Sequence, residues 1–199
     1  METVDPPASL AWRDLEQECL FAVETAEKSG RPITMGRYGV QAVVVRDKTT
    51  GAMTTQVMQS LPDFEGVVGP RGRQFVFDAK VCSKSSLSLN DSTTKERQLR
   101  HMLRRSRCGA ACGLLVHFNR RELKQSTVPA QTWLFPVHFA VPFWERVTSH
   151  QERSIGLTAA DEYGIAVEWW LPPRGRRPRL LLEVALQELL GRVDELGGT

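Results

Sequence analysis

The first long periodic stretch runs from Ser9 to Ser29. Projected at 100° per residue, Trp12, Leu15, Cys19, Ala22, Val23 and Ala26 share one arc and Leu20 extends it, which predicts a helix capped by Ser9 and stopped by Gly30 and Pro32. Glu16 falls inside that arc, between Trp12 and Leu20, whereas Glu18, Glu24 and Glu27 lie at its edge or outside it. A carboxylate among apolar neighbours requires either a salt bridge or a site that uses it. Val40 to Val45 reads as a buried strand, Gly51 as a turn, and Thr54 to Met58 as a strand that pairs with the first. Gly66 to Gly72 reads as a tight connection into Gln74–Val81, where alternation is cleanest. There Phe75, Phe77 and Ala79 face one side and Val76, Asp78 and Lys80 the other, so a carboxylate and an ammonium project side by side.

Ser83 to Thr94 is polar and loop-like, and a helix follows from about Thr94 to Arg107. Its wheel separates an inner face of Leu99, Met102, Leu103 and Ser106 from an outer stripe of Arg97, Arg100, Arg104 and Arg107. Gly109 and Gly113 bracket a turn into the strand Leu114–Phe118, and Trp133–Val137 supplies another. Helix, strands, helix and strand around one sheet make an α/β domain. From Ser149 the character changes. Pro172 to Arg179 reads as a basic connector, and Leu180–Leu196 as an amphipathic helix with Leu182, Leu186, Leu189, Val193 and Leu196 on one stripe, packed on the domain or against another chain. The expected division is therefore 1–148 for the core and 149–199 for connector and helix.

Composition narrows the class. A chain of 199 residues, 41% hydrophobic and 25% charged, has enough material for one globular domain and excludes disordered and collagenous chains. The apolar runs fall far below the ~20 residues that cross a bilayer, so a cytoplasmic protein without membrane association is expected. Cys19, Cys82, Cys108 and Cys112 suit a reducing compartment and read as buried small hydrophobes; a zinc site built on Cys108 and Cys112 lacks a second pair. His117 and His138 lie in apolar strand contexts and read as interior residues. The net charge of +3 hides the placement of the cations: 20 of the 26 basic residues are Arg, and they cluster. Arg makes forked contacts to phosphate, which points to nucleic acid.

The chemistry centres on Pro62-Asp63 and, fifteen residues on, Asp78-Ala79-Lys80. Phosphodiester cleavage calls for a divalent ion held by one or two carboxylates, and for a group that orients water and stabilises the charged phosphate. The alternative is an exposed strand ion pair between Asp78 and Lys80. Pro62, Asp63, Asp78 and Lys80 fill the pattern of the PD-(D/E)xK nuclease superfamily. Asp14-Leu15-Glu16 with Gly30, Asp63 to Val67, Gly72 to Lys80, Gln98, Gly113 to Phe118 and Phe143-Trp144 together resemble the RecU-type Holliday junction resolvases, in segments from about Leu10 to Arg146.

That resemblance implies a restriction-endonuclease-like core with a mixed central sheet flanked by helices. It implies a Mg²⁺-dependent nuclease, with Mn²⁺ as a substitute ion, which nicks four-way DNA junctions as a homodimer and has recombinase proteins as further partners. By residue, Asp63, Asp78 and the Ala79 carbonyl would hold metal, Lys80 would position water, Glu16 would complete the acidic site, and Gln98 would support bound phosphate or water. Arg97, Arg100, Arg104 and Arg107, with Arg71 and Arg73 in the glycine-rich connection, are the candidate DNA contacts. Four positions depart from the family pattern. Asp78 stands where Glu is usual, Leu61-Pro62 where Thr is frequent, Arg97 where His often precedes Gln98, and only about seventeen residues separate Val45 from Asp63, too few for the family's long stalk. Two further readings stay open: another nuclease of the same superfamily, of repair or restriction type, and a non-catalytic factor that binds branched DNA.

Overall fold

The computed structural model describes residues 3–38, 41–46, 49–59, 61–89, 93–137, 146–147, 149, 151, 154–173 and 177–197. Val40, His138, Phe143, Trp144 and the arginines at 174 and 176 lie outside the described residues. Eight strands and four helices frame the candidate site. The strands are β1 (Ile33–Arg37), β2 (Gln41–Arg46), β3 (Met53–Gln59), β4 (Phe64–Val68), β5 (Arg73–Cys82), β6 (Ala111–Phe118), β7 (Gln131–Pro136) and β8 (Ile165–Ala166). The helices are α1 (Trp12–Lys28), α2 (Thr93–Arg107), α3 (Leu157–Tyr163) and α4 (Leu182–Gly197).

Six strands form one mixed sheet in the order β8-β7-β6-β5-β4-β1. Only β5 and β6 run parallel, and every other neighbouring pair is antiparallel. A parallel pair needs a crossover long enough to return the chain to the same end, and the segment containing α2 provides it. The alternation along β5 sorts the core as expected: Phe75, Phe77 and Ala79 join Leu15, Cys19 and Val23 of α1 and Leu182, Leu186 and Leu189 of α4 in one cluster. Val76 joins Leu99, Met102 and Leu103 of α2 and Ala160 of α3 in the other. On the α1 face the rings of Phe64 and Phe77 stack at 4.9 Å and those of Phe75 and Phe77 at 6.1 Å. The result is the expected α/β class, a mixed central sheet with helices on both faces.

Several elements differ from the pattern reading. α1 begins at Trp12 with Ala11 as its N-cap, not at Ser9, because the Asn119 side chain accepts the Leu10 N–H at 2.9 Å and fixes where the chain enters the helix. Trp12, placed on the inner arc, is 51% exposed. Gly66 lies inside β4 and not in the connection; a Cβ there would stand 2.1 Å from the Thr34 carbonyl oxygen and 2.5 Å from the Phe75 ring, so only glycine lets β1 approach β4. The turn itself is made at Gly69 and Gly72, both at positive φ. Within the segment read as loop, Ser86–Ser88 pairs with Ser154–Gly156.

β2 and β3 pair with each other, as expected, but among the described residues neither joins the central sheet. The strand next to β4 is β1, which the sequence pattern did not mark. Residues 38–63 are thus an insertion between two central-sheet strands, closed at its root where the Tyr38 N–H donates to the Asp63 carbonyl at 3.0 Å. The C-terminal region adds a strand to the central sheet and a helix against one of its faces. β8 pairs with β7, and α4 begins at Leu182 because Leu180 is already in a two-residue strand opposite Trp169. Leu186 and Leu189 are fully buried and Val193 nearly so, so the leucine stripe belongs to the core and is not an open interface. No described helix is long and apolar enough to cross a membrane.

Candidate active site

Asp78 and Lys80 face the α2 side of the sheet near the C-terminal end of β5, and Asp63 arrives on the residue just before β4. Antiparallel register brings them together: Phe64 stands opposite Phe77, so Asp63 lies beside Asp78 and Ala79. The Ala79 N–H donates to Asp63 Oδ2 at 2.9 Å, which fixes that carboxylate against β5. Lys80 Nζ pairs with Asp78 Oδ2 and lies 3.8 Å from Asp63 Oδ2, one ammonium between two carboxylates. Asp78 is 1% exposed, and its other oxygen, Oδ1, has no hydrogen-bond partner. An exposed strand pair is therefore not what the fold builds; the carboxylate is deeply buried and half-satisfied.

Burial pushes the Asp78 carboxyl up to about 7, against the pull of Lys80 and with a further push from Asp63. Burial acts to lower Lys80, but Asp78 and Asp63 outweigh it and hold the group above the ordinary lysine value. The ammonium form of Lys80 is thus favoured.

Glu16 reaches the same place from α1, on the opposite face. It is buried, and its carboxylate accepts from Arg37 at 2.6 Å. Burial and then Asp63 raise its pKa, while Arg37, Lys80 and Arg13 oppose. The two readings of a carboxylate in an apolar arc therefore meet in one residue: Glu16 has its salt bridge, and it borders the acidic pair. Arg37 escaped the sequence reading. A buried Glu16 demands a cation, but nothing in Ile33–Arg37, a strand without clean alternation and with Gly36 inside it, marks Arg37 as the one.

Gln98 is buried on α2 and donates from Nε2 to the Leu61 carbonyl at 3.1 Å, while its Oε1 has no partner. It tethers the segment that leads into Asp63, and with Leu87, Leu99, Met102 and Leu114 it lines a small pocket behind Asp78 and Lys80. The arginine stripe is exposed as expected. Arg100 pairs with Glu96 at 2.6 Å within α2, and Arg105 turns inward to Glu65 at 2.7 Å. Arg71 and Arg73 are not beside the site: Arg73 is five residues before Asp78 on β5, about 17 Å along the strand, and pairs with Asp194 at 2.6 Å. The turn that carries them is at the far end of the β4–β5 hairpin.

Cys108 is exposed and Cys112 buried, with burial pushing the Cys112 thiol up to about 12. Among the described residues no three His, Cys, Asp or Glu side chains form a group that could hold a metal, which leaves the zinc reading without support. The pair Asp63 and Asp78 is within what Mg²⁺ asks of protein, since that ion keeps several waters and takes one or two carboxylates. The unpartnered Asp78 Oδ1 is a free acceptor there.

No curated protein sequence matches this one. Among solved structures the chain is similar to Hjc, a Holliday junction resolvase from the archaeal hyperthermophile Archaeoglobus fulgidus, at 15% identity and a TM-score of 0.42, over 77% of this chain and 91% of that one. The family model described as RecU, Recombination protein U, matches residues 32–174, a span that takes in β1, Arg37, the inserted hairpin, Asp63, Asp78, Lys80 and Gln98. With well over half of its length matched, the chain belongs to the RecU family.

Proposed function

We propose that this protein is a divalent-metal-dependent endonuclease that resolves four-way DNA junctions by paired nicking as a homodimer. Family membership supports a Holliday junction resolvase acting on branched DNA. The observation that carries the catalytic reading is the half-satisfied Asp78, buried beside Asp63 and Lys80 where a polar group costs stability unless it is used. Asp63, Asp78 and the Ala79 carbonyl would hold Mg²⁺ or Mn²⁺, and the bound ion supplies charge neutralisation at the phosphate. Lys80, held as an ammonium, orients the attacking water and stabilises negative charge on the phosphate. Glu16, fixed by Arg37, closes the acidic wall, and Gln98 holds the loop before Asp63 in register. The exposed arginines of α2 supply phosphate contacts along the flank.

The hairpin β2–β3 is inserted in sequence between two central strands and rooted at Asp63, and this reading assigns it to the branch point. It is short, and that favours a second reading: a nuclease with the same site acting on other DNA. Cleavage of a labelled four-way junction, compared in Mg²⁺ with linear duplex, flap and single strand, separates them. The first reading expects symmetric nicks in the junction alone. Paired nicking also needs two opposed sites about a two-fold axis. Light scattering at micromolar concentration is expected to give twice the 22.4 kDa chain mass, and a value near 22.4 kDa counts against the dimer.

A further inference from the structure

Trp12 stands at the first position of α1, on the same arc as Glu16 and one turn before it. From Leu15 onward that arc is covered by the sheet: Leu15, Glu16, Cys19, Val23 and Ala26 are all buried. Trp12 is not covered. Helical side chains lean toward the N-terminus, which directs its half-exposed indole away from the covered part of the arc, with its Cβ about 6 Å from that of Glu16. A single exposed aromatic is ordinary by itself. This one has two neighbours that make it otherwise. The Arg13 guanidinium lies over the ring at 5.3 Å from its centroid, and Arg13 and Arg37 both act on the Glu16 carboxylate at the wall of the proposed cleavage site.

An indole backed by the Arg13 guanidinium, one helical turn before Glu16 and its Arg37 partner at the wall of the proposed site, is a platform for a nucleobase. Stacking on a tryptophan face is sequence-tolerant and needs an unpaired base, and the arginine strengthens it by a cation–π contact while attracting the adjoining phosphate. In continuous duplex no base is free to stack there; at a branch point bases unstack readily. We propose that Trp12, supported by Arg13, is a stacking site for an unpaired nucleobase beside the scissile phosphate, and that it makes cleavage selective for branched over linear DNA. The proposal rests on the nuclease reading above.

The test uses the full chain carrying Asp78→Asn, so that bound DNA stays intact. Four-way junctions with 5-iododeoxyuridine at successive positions across the branch are irradiated, and the crosslinked residue is mapped. Trp12 is the expected adduct, from one position only. In the same background Trp12→Ala should weaken junction binding by roughly tenfold, with duplex affinity and salt slope unchanged, and Trp12→Phe should restore most of the loss. Because the side chain is exposed, the thermal midpoint of both variants should match the parent. Junction affinity unchanged in Trp12→Ala, with crosslinks only elsewhere, overturns the proposal while leaving the nuclease reading standing. A shift from dimer to monomer in Trp12→Ala overturns it too, because the indole is then a contact between copies. If the Asp78→Asn parent binds junction no better than duplex, junction selectivity itself falls, and this site with it.

Discussion

Neighbouring strands of the central sheet bury His117 and Asp78, and the fold treats the two in opposite ways. His117 on β6, opposite Val81 of β5, is fully buried, shares a hydrogen bond with Thr132 Oγ1 at 2.8 Å, and has Trp169 Nε1 donating to the same hydroxyl at 2.9 Å. Burial pushes its pKa down to about 4, so it sits in the interior as a neutral ring. Asp78 on β5 is equally deep, yet it is placed against an ammonium and a second carboxylate that pull it in opposite directions. Each leaves one atom without a hydrogen bond, Nε2 of His117 and Oδ1 of Asp78. A neutral ring tolerates that at modest cost; a carboxylate does not. Depth of burial therefore does not distinguish these two polar groups. The charges around them do.

The largest expected effect is on chemistry. Asp78→Asn and Lys80→Ala should each lower nicking by at least roughly a thousandfold while changing junction affinity little, because the proposed mechanism has these groups act on the reacting phosphate and assigns binding mostly to arginine contacts. Single-turnover cleavage in Mg²⁺ alongside binding measurements decides this. His117→Gln, in contrast, should leave the rate per folded molecule unchanged.

The next effect is on stability. The unfolded chain protonates His117 near pH 6.5 and the folded chain only near 4, so its contribution is complete above pH 6.5 and is lost as the pH falls toward 4, by up to about 3 kcal/mol. Urea denaturation at pH 7 and pH 4.5 should show a smaller loss in His117→Gln than in the parent, and equal losses would remove the contrast between the two groups. Asp78 has the opposite sign. Its folded pKa is raised above the ordinary 3.8, so its contribution is complete below pH 3.8 and is lost as the pH rises toward about 7, and in the metal-free protein the thermal midpoint of Asp78→Asn should gain on that of the parent between pH 4 and pH 8. The proposed metal site predicts that this gain shrinks in Mg²⁺.

The smallest effect concerns the outer face of α2. Changing Arg100, Arg104 and Arg107 together to Ala should flatten the salt dependence of DNA binding by up to roughly one unit of slope for each phosphate no longer neutralised, with the cleavage rate at saturation preserved. An unchanged slope returns this stripe to plain solvation.

Local periodicity carried much of this protein. The alternation of Phe75, Val76, Phe77, Asp78, Ala79 and Lys80 settles which side chains face α1 and which face α2, since a strand offers only two faces. The wheel of α2 likewise assigns Leu99, Met102 and Leu103 inward and Arg97, Arg100, Arg104 and Arg107 outward, and the arc of α1 singles out Glu16. Contacts between distant segments were decided elsewhere. β1 has no pattern of its own and becomes a strand because Gly66 lets it close on β4, and that pairing sets Arg37 against Glu16 and turns residues 38–63 into an insertion. The leucines of α4 were legible as a buried stripe, but whether another chain or this one covers them depends on where α1 and the sheet lie. The exposure of Trp12 has the same origin: a helical wheel gives direction around the axis, and only the tertiary structure says where along that axis the sheet ends.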